Sequence, residues 1–253
     1  MAVPRERGTV AARDTDNNRG AFTHKMETVL LDNVSKTYEE REFRVPALSQ
    51  VTLQIKKGEF VVLAGPSGSG KTTLLNLIGT LDQPDSGRVY LDGHEVTGLP
   101  PNTLAELRLK KIGFVFQSSN LIQVLTAREN IEFVMLLQGI KAETRREKSL
   151  ALLKDLGLED LAGRKISEMS GGQGQRIAVA RAVVSEPQLI LADEPTANLD
   201  SKTGAQLIEL MESFNRSKQI TFLIASHDPL VINRAGRVIH LRDGRIVEDR
   251  SSG

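Results

Sequence analysis

The stretch Gly65-Pro66-Ser67-Gly68-Ser69-Gly70-Lys71-Thr72 has the spacing G-x-x-x-x-G-K-[ST]. An apolar run, Phe60 to Ala64, leads into it, and a second apolar run that resembles a helix begins at Thr73. A strand, a glycine loop and a helix in this order form the context that a phosphate-binding loop requires. The stretch therefore predicts a P-loop at the end of a strand in an α/β fold.

The residue types of this loop suit the binding of a nucleotide phosphate. Glycines allow a tight backbone turn that brings N–H groups toward an anion, and the helix N-terminus adds free donors and partial positive charge. Lys71 supplies a compact cation for the β- and γ-phosphates, and the Thr72 hydroxyl is placed to ligate Mg²⁺. The alternative is a glycine-rich turn with a chance lysine, which the flanking strand and helix disfavour.

The composition is that of an ordinary globular protein. The chain has 253 residues, of which 40% are hydrophobic and 26% are charged, and its formal net charge is +1. It is long enough for one large core, with room for a smaller satellite subdomain. A charge so close to zero creates no field that favours DNA, so we expect no nucleic-acid partner.

Cysteine usage and hydropathy limit the kinds of site and the cellular compartment that we expect. The sequence contains no cysteine, which excludes disulfides, thiolate catalysis and Cys-type metal sites and is easiest to reconcile with a cytoplasmic protein. No apolar run approaches the ~18–20 residues that a membrane-spanning helix needs. If the protein acts at a membrane, another chain has to span it.

The N-terminal residues 1–25 differ from the rest. They lack periodicity and an apolar segment, so we predict a disordered tail that is not a secretory signal. Met26, just before the first strand-like run, is a candidate translation start. The alternative is an arm that binds a partner.

Three further apolar strand-like runs end in polar residues. Leu189 to Ala192 ends in Asp193-Glu194, which is the Walker B arrangement: Asp193 can hold Mg²⁺, and Glu194 can accept a proton from the attacking water. Gln117 follows one run and His227 another, and ligands gather at the carboxyl ends of strands in α/β sheets. The alternative for the paired acids is a polar strand end or a helix cap, and the alternative for His227 is a structural role.

A helical block extends from Ser118 to about Ser167. Within it, Leu150, Leu153 and Gly157 are predicted to lie on one side of a helix.

A second glycine-rich helix start follows this block. Ser170-Gly171-Gly172-Gln173 precedes a helix at Ile177, with Ser170 as the predicted N-cap and open N–H groups that suit an anion. A plain capping turn is the alternative. Asp200 reads as the N-cap of a later helix.

The region from Thr28 to Leu63 predicts antiparallel β structure made of short strands. Asp92-Gly93 and Asp243-Gly244 each stand between β-rich runs and predict hairpin turns. Tyr38 is placed in a loop after the first strand, where an aromatic ring could stack on a base; an exposed or packed tyrosine is the commoner case.

Taken together, the order of these motifs resembles the ATP-binding cassette ATPase family over the chain from about Met26 to Val247. The local sequence is similar to that of the lipoprotein-releasing and macrolide-efflux branch around Gln117, from Asp193 to Asp200 and at the C-terminal Asp243-Gly244. The resemblance implies a P-loop NTPase (RecA-like) core with an antiparallel β subdomain, and a helical subdomain at about 118–185. The helical subdomain carries the family's signature motif, here Ser170-Gly171-Gly172-Gln173. One ATPase domain would span residues 26–250.

The resemblance also implies roles in binding ATP and Mg²⁺. Tyr38 would stack on the adenine, and the loop from Gly65 to Thr73 would hold the triphosphate. Thr72 and Asp193 would bind the metal. Gln117 would touch Mg²⁺ and relay to a membrane partner.

In catalysis, the resemblance implies that Glu194 is the general base and His227 the γ-phosphate sensor, alongside Lys71. Ser170 and Gly172 would close on the nucleotide of a second copy of the chain, with Asp200 at that interface. One departure from the family's usual pattern, Gly174 after the signature, is expected to loosen the signature helix.

The resemblance implies a soluble ATPase subunit on the cytoplasmic face of the inner membrane. Two copies would clamp two ATP·Mg²⁺ and drive a separate permease for export or for lipoprotein or lipid extraction. The alternatives are a cassette ATPase that acts on nucleic acid or a cytosolic assembly, and a P-loop kinase or GTPase. The signature, Glu194 and the absence of an Asn-Lys-x-Asp motif argue against the kinase and the GTPase.

Overall fold

The structure of the chain is a computed structural model, which describes residues 27–40 and 43–251. The predictions for residues 1–25 and for Met26 lie outside the described residues. The strands are β1 Glu27–Glu40, β2 Phe43–Lys56, β3 Phe60–Ala64, β4 Ser86–Leu91, β5 His94–Glu95, β6 Ile112–Val115, β7 Leu189–Asp193, β8 Thr221–Ser226, β9 Arg237–Arg242 and β10 Arg245–Ser251. The α-helices are α1 Lys71–Ile78, α2 Pro101–Lys111, α3 Ala127–Leu137, α4 Ala142–Asp155, α5 Gly171–Val183, α6 Ser201–Lys218 and α7 Pro229–Ile232.

The main sheet has six strands in the order β10-β9-β3-β8-β7-β6. All its pairs are parallel except the antiparallel pair of β9 and β10 at one edge. Parallel strands end at the same edge of a sheet, so the segments after β3, β6, β7 and β8 meet there. The fold thereby gathers the P-loop, Gln117, Asp193 and His227 at one edge.

A second, antiparallel sheet has the order β2-β1-β4-β5. Its strands β1 and β2 each have 14 residues, longer than the short strands predicted, because they pair along their whole length from Glu27–Lys56 to Glu40–Phe43 with several register shifts. Cross-strand pairing, which no local pattern shows, sets this length.

Side chains of the parallel strands alternate between two hydrophobic cores. In β3, Val61 and Leu63 join a core that contains α1 and the antiparallel sheet. Val62 and Ala64 join the other core, which contains α3, α4, α5 and α6. The phosphate loop therefore leaves a strand that is fixed from both faces.

Both Asp-Gly hairpins are confirmed. Asp92 and Gly93 have φ angles of 51° and 75°, and Asp243 and Gly244 have φ angles of 47° and 71°. Two consecutive positive φ angles are the mark of a type I′ turn, whose twist matches that of the flanking strands.

The helical block after β6 contains α3 and α4, followed by α5. The prediction that Leu150, Leu153 and Gly157 share one side of α4 is wrong: Leu153 is buried, Leu150 is 37% exposed, and the helix ends before Gly157. The buried positions are Ser149, Leu152, Leu153 and Leu156, at spacings of three and four residues. Along residues 27–40 and 43–251, no helix combines the length and the apolar character needed to cross a membrane.

Candidate active site

A cleft of about 460 Å³ opens at the edge of the sheet where the parallel strands end. It is lined by the phosphate loop and by residues that follow β6, β7 and β8, together with part of β2. The lining residues are Val45, Pro46, Ala47, Ser67, Gly68, Gly70, Lys71, Thr72, Thr73, Gln117, Asp193, Glu194, Ala197 and His227. The sequence did not single out Val45, Pro46 and Ala47, because apolar residues in a strand carry no chemical signal.

Lys71 is held across the phosphate loop. It is the first residue of α1, its side chain is 7% exposed, and its ammonium donates to the carbonyls of Gly65 at 2.7 Å and Pro66 at 3.0 Å. A buried ammonium costs free energy unless it is hydrogen-bonded. The loop carbonyls satisfy the ammonium and fix it beside the helix N-terminus, where an anion is also attracted by the helix dipole.

Thr72 and Asp193 come together as predicted for a metal site. The Thr72 hydroxyl donates to Oδ2 of Asp193 at 2.9 Å, and Gln117 lines the same cleft. Burial and the charge of Glu194 raise the pKa of Asp193, while Thr72 and Lys71 oppose the rise. A hydroxyl, a carboxylate and an amide oxygen are hard donors, and Mg²⁺ binds through few protein oxygens with the remainder from phosphates and water. The donor set therefore fits Mg²⁺.

Glu194 is fixed from several sides. Its backbone has a φ of 45°, a left-handed conformation that is unusual for a residue with a side chain, and its N–H donates to Ala225 O at 2.9 Å. Its Oε1 lies 2.7 Å from Nδ1 of His227 and 3.8 Å from the Lys71 ammonium, and the Ser226 hydroxyl donates to its Oε2 at 3.3 Å. Backbone strain of this kind persists where the surroundings hold it, often at active sites.

The signature segment starts α5, with Ser170 as its N-cap. The Ser170 hydroxyl accepts from the Gln173 N–H at 3.3 Å, and the Gln173 side chain accepts from the Ser170 N–H at 3.0 Å. This reciprocal pair is a capping box, which confirms the predicted cap. Asp200 is likewise confirmed as the N-cap of α6, where it accepts from the N–H groups of Lys202 and Thr203.

Comparison with known proteins decides the family. The family model described as "ABC transporter" matches residues 48–197. The chain belongs to the ABC transporter family. An uncharacterized ABC transporter ATP-binding protein of Methanocaldococcus jannaschii, MJ0796, is 45% identical over 222 residues, which cover 86% of this chain and 94% of that protein.

A solved structure of MJ0796 and one further relative of this ABC transporter protein are informative. A dimeric structure of a post-hydrolysis state of the ATP-binding cassette MJ0796, bound to ADP and Pi, has a TM-score of 0.83 and 44% identity and covers 89% of this chain and 99% of that one. The macrolide export ATP-binding/permease protein MacB of Syntrophobacter fumaroxidans is 41% identical over 228 residues, covering 89% of this chain but 32% of MacB. The chain is thus an ABC transporter ATP-binding subunit and an ATPase. The predictions of the family, the fold class and the activity are confirmed, and the kinase, GTPase and nucleic-acid alternatives are set aside.

Tyr38 is not in a loop: it lies in β1, opposite Val45 of β2. Its hydroxyl donates to Oδ2 of Asp82 at 2.8 Å, and the Lys36 ammonium lies 5.3 Å from the centre of its ring. Tyr38 therefore borders the cleft of this ABC ATPase through Val45, which lines it. Asp82 was missed in the sequence because it lies 44 residues further along the chain.

The structure separates most of the predicted site residues into two groups, and the lining of the cleft, as far as the structure describes the chain, does not include Tyr38, Gly65, Pro66 or Ser69. Lys71, Thr72, Asp193, Glu194 and His227 share one cleft. Within the described part of the chain, the lining of that cleft does not include Ser170, Gly172 or Asp200. Two hydrogen bonds link these groups indirectly within one copy. The Asn198 side chain, two residues before Asp200, donates to the carbonyl of Gln117 at 3.3 Å, and the Gln175 side chain of α5 donates to the carbonyl of Phe116 at 2.8 Å.

Proposed function

We propose that two copies of this ABC transporter ATPase subunit clamp two ATP·Mg²⁺ between them and drive a separate membrane permease. The observation that carries this proposal is the division of the site: the phosphate loop and the carboxylates lie in one cleft, and the signature residues lie outside it. In a two-fold dimer, each copy presents the same surface to the other, so one interface can supply both signatures to both clefts. The dimeric MJ0796 cassette supports this arrangement.

In this reading, the phosphate loop and Lys71 bind the triphosphate, and Thr72 and Asp193 hold Mg²⁺ with Gln117 in reach. Mg²⁺ held by these residues would supply positive charge against the negative charge that develops on the phosphate oxygens. Tyr38 stacks on the adenine. Its hydrogen bond to Asp82 and its pairing with Val45 hold the ring at the border of the cleft.

Glu194 acts as the general base. It accepts a proton from a water whose oxygen attacks the γ-phosphorus in line, while the bond to the bridging oxygen of the β-phosphate breaks. The contacts of Glu194 with His227 and Ser226 orient its carboxylate before any nucleotide arrives. His227 and Lys71, both beside the same carboxylate, contact the γ-phosphate.

A groove of about 350 Å³ beside β6 and α3 is the proposed contact with the permease. Its lining is mostly apolar and includes Leu81, Phe114, Phe133 and Leu137, and Leu137 is 57% exposed although it is a large apolar residue. Apolar surface of this kind marks an interaction site. Phe114 lies three residues before Gln117, so an occupant of the groove would touch the strand that leads to the cleft.

The membrane role is also a proposal. MacB is named as an ATP-binding/permease protein for macrolide export, and this chain matches about a third of its length, 32%. By analogy, we propose that the subunit binds on the cytoplasmic face of the inner membrane and powers export or the extraction of a lipid or lipoprotein.

Glu194→Gln tests the mechanism. We expect the variant to bind ATP, to lose hydrolysis by roughly 10²–10⁴-fold because the base is absent, and to accumulate as a dimer with ATP and Mg²⁺ in light scattering. Glu186→Gln is the matched control, since Glu186 also has a positive φ of 51° but pairs with Lys218 outside the cleft. A Glu194→Gln chain that stays monomeric at saturating ATP and Mg²⁺ would contradict the proposed clamp.

A further inference from the structure

The hairpin turn Asp243–Gly244, between β9 and β10, lies directly against the phosphate loop. Strand β9 runs parallel to β3, with His240 opposite Ala64 at the end of β3. Because the two strands reach the same edge of the sheet side by side, the turn that follows β9 stands next to the loop that follows β3.

Gly244 joins the phosphate loop to the antiparallel sheet. Its N–H donates to the carbonyl of Ser69 at 3.1 Å, and its own carbonyl accepts from the N–H of Ser49 in β2 at 2.9 Å. These two hydrogen bonds connect the phosphate loop, through the turn, to strand β2, whose residues Val45, Pro46 and Ala47 line the cleft.

The backbones meet here without room for another carbon atom. A Cβ on Gly65 would lie 2.2 Å from the carbonyl oxygen of Leu241. A Cβ on Gly70 would lie 2.5 Å from the carbonyl oxygen of Ala47, and one on Gly244 would lie 2.7 Å from the same oxygen. Backbone atoms cannot move aside as the end of a flexible side chain can, so the contact is rigid.

The bond to Gly244 also determines which way a peptide group of the loop points. The described residues contain no cis peptide bond, and in a trans peptide the carbonyl and the N–H point to opposite sides. With the Ser69 carbonyl held on the side of the hairpin, the N–H of Gly70 is turned to the other side. Gly70 lines the cleft and immediately precedes α1, where free N–H groups bind anions.

We propose that the Asp243–Gly244 turn positions the phosphate loop for the triphosphate, with Gly244 as a positioning residue that holds the Ser69 carbonyl and so orients the Gly70 N–H. This rests on the binding of the triphosphate by that loop, as proposed above. The C-terminal hairpin, more than 170 residues away along the chain, is then part of the ATP site without touching the nucleotide.

Gly244→Ala tests the proposal, with Gly98→Ala as its control. The two glycines have φ angles of +71° and +72°, so alanine strains both backbones equally, but a Cβ on Gly98 meets nothing within 4 Å. We expect both variants to lower Tm, and only Gly244→Ala to weaken the equilibrium Kd for MgATP, by roughly ten-fold, as expected for a misdirected hydrogen bond to a charged group.

The Kd separates positioning from folding, because a purely structural role would lower Tm and leave the Kd of the folded chain unchanged. A Gly244→Ala chain that binds MgATP as tightly as the wild type, or no more weakly than Gly98→Ala, would overturn the proposal. A wild-type chain that fails to bind MgATP would instead contradict the proposed function.

If Gly244→Ala does not fold, Leu241→Val replaces it. The Leu241 side chain backs Gly70, with its Cδ2 3.3 Å from the position of a Cβ there. Ile239→Val is the control: it also removes one methylene from a buried residue of β9, but Ile239 pairs with Leu63, farther from the loop. We expect a weaker Kd for Leu241→Val only, and equal Kd values for the two variants would count against the positioning role.

Discussion

The chain contains two glycine-rich helix starts, and they differ in what surrounds them. At the start of α1, Lys71 is buried and the carboxylates of Asp193 and Glu194 stand in the same cleft. At the start of α5, the cap is made by Ser170 and Gln173 of the segment itself, and a Cβ on Gly171 would meet nothing within 4 Å. The first start has its chemical partners within one copy, whereas the second presents open N–H groups outside that cleft.

From this difference we expect one copy to suffice for nucleotide binding and two copies to be required for hydrolysis. On the proposed roles, a single copy could hold a nucleotide, because Lys71 and His227 lie beside Glu194 and Thr72 is hydrogen-bonded to Asp193 within one cleft. In the proposed dimer, the second helix start would add donors for the phosphates only when another copy brings it to the cleft. Hydrolysis would then depend on when the two copies meet, and a permease can control that step.

Of the substitutions that distinguish the two helix starts, Lys71→Met should have the largest effect, and it should affect the first start alone. It keeps the bulk of the side chain and removes the ammonium that the loop carbonyls fix, so we expect binding of MgATP to a single copy to weaken by roughly 10–100-fold. Isothermal titration calorimetry measures it. Lys110→Met, an exposed lysine that pairs with Glu106, is the control and should bind as the wild type does. Unchanged binding by Lys71→Met would mean that the cleft is not the phosphate site.

Ser170→Arg should affect the second helix start and leave the first intact. In a Glu194→Gln background, we expect a single copy to bind ATP normally and dimerisation to weaken by roughly ten-fold or more, as for a disrupted central interface residue. Analytical ultracentrifugation with and without ATP measures both states. Ser217→Arg, on the exposed end of α6, controls for the added charge and bulk. If Ser170→Arg dimerises normally, Ser170 is not at the interface.

Much of this arrangement could be predicted from the sequence because its signals are local. The P-loop, both Asp-Gly turns and the caps Ser170 and Asp200 each depend on residues within a few positions of one another. The parallel order of the strands then brings Asp193, Glu194 and His227 to the loop, since each follows a strand that ends at one edge.

The remaining features depend on contacts between distant residues, which leave no periodic pattern. Tyr38 was misplaced because β1 continues as far as its partner strand does, and its partner Asp82 comes from the segment after α1. The buried face of α4 was shifted by one position because Leu150 looks as apolar as Leu153 in isolation. The hold of Gly244 on the phosphate loop likewise appears only when the chain is folded.

A contact between distant residues also distinguishes two glycines at the start of α5. Because of it, alanine is not tolerated at Gly172 but is tolerated at Gly174. A Cβ on Gly172 would lie 2.5 Å from Cγ2 of Thr203, whose hydroxyl is held by Asp200 at 2.6 Å, so the side chain cannot rotate away freely. A Cβ on Gly174 would meet Ser119 and Leu121 at 3.8 and 4.0 Å, which is ordinary contact. The sequence suggested only that Gly174 loosens the helix.

Gly172→Ala and Gly174→Ala should therefore change the free energy of unfolding in opposite directions. We expect Gly172→Ala to lose about 1–3 kcal/mol from overpacking, and Gly174→Ala to gain up to about 1 kcal/mol because alanine is the better helix former. Urea unfolding of the chain without nucleotide measures both. Thr203→Ser removes Cγ2 and keeps the hydroxyl for Asp200, so Gly172→Ala combined with Thr203→Ser should recover most of the loss. Equal losses with and without Thr203→Ser would show that contact with Thr203 is not the cause of the lost stability.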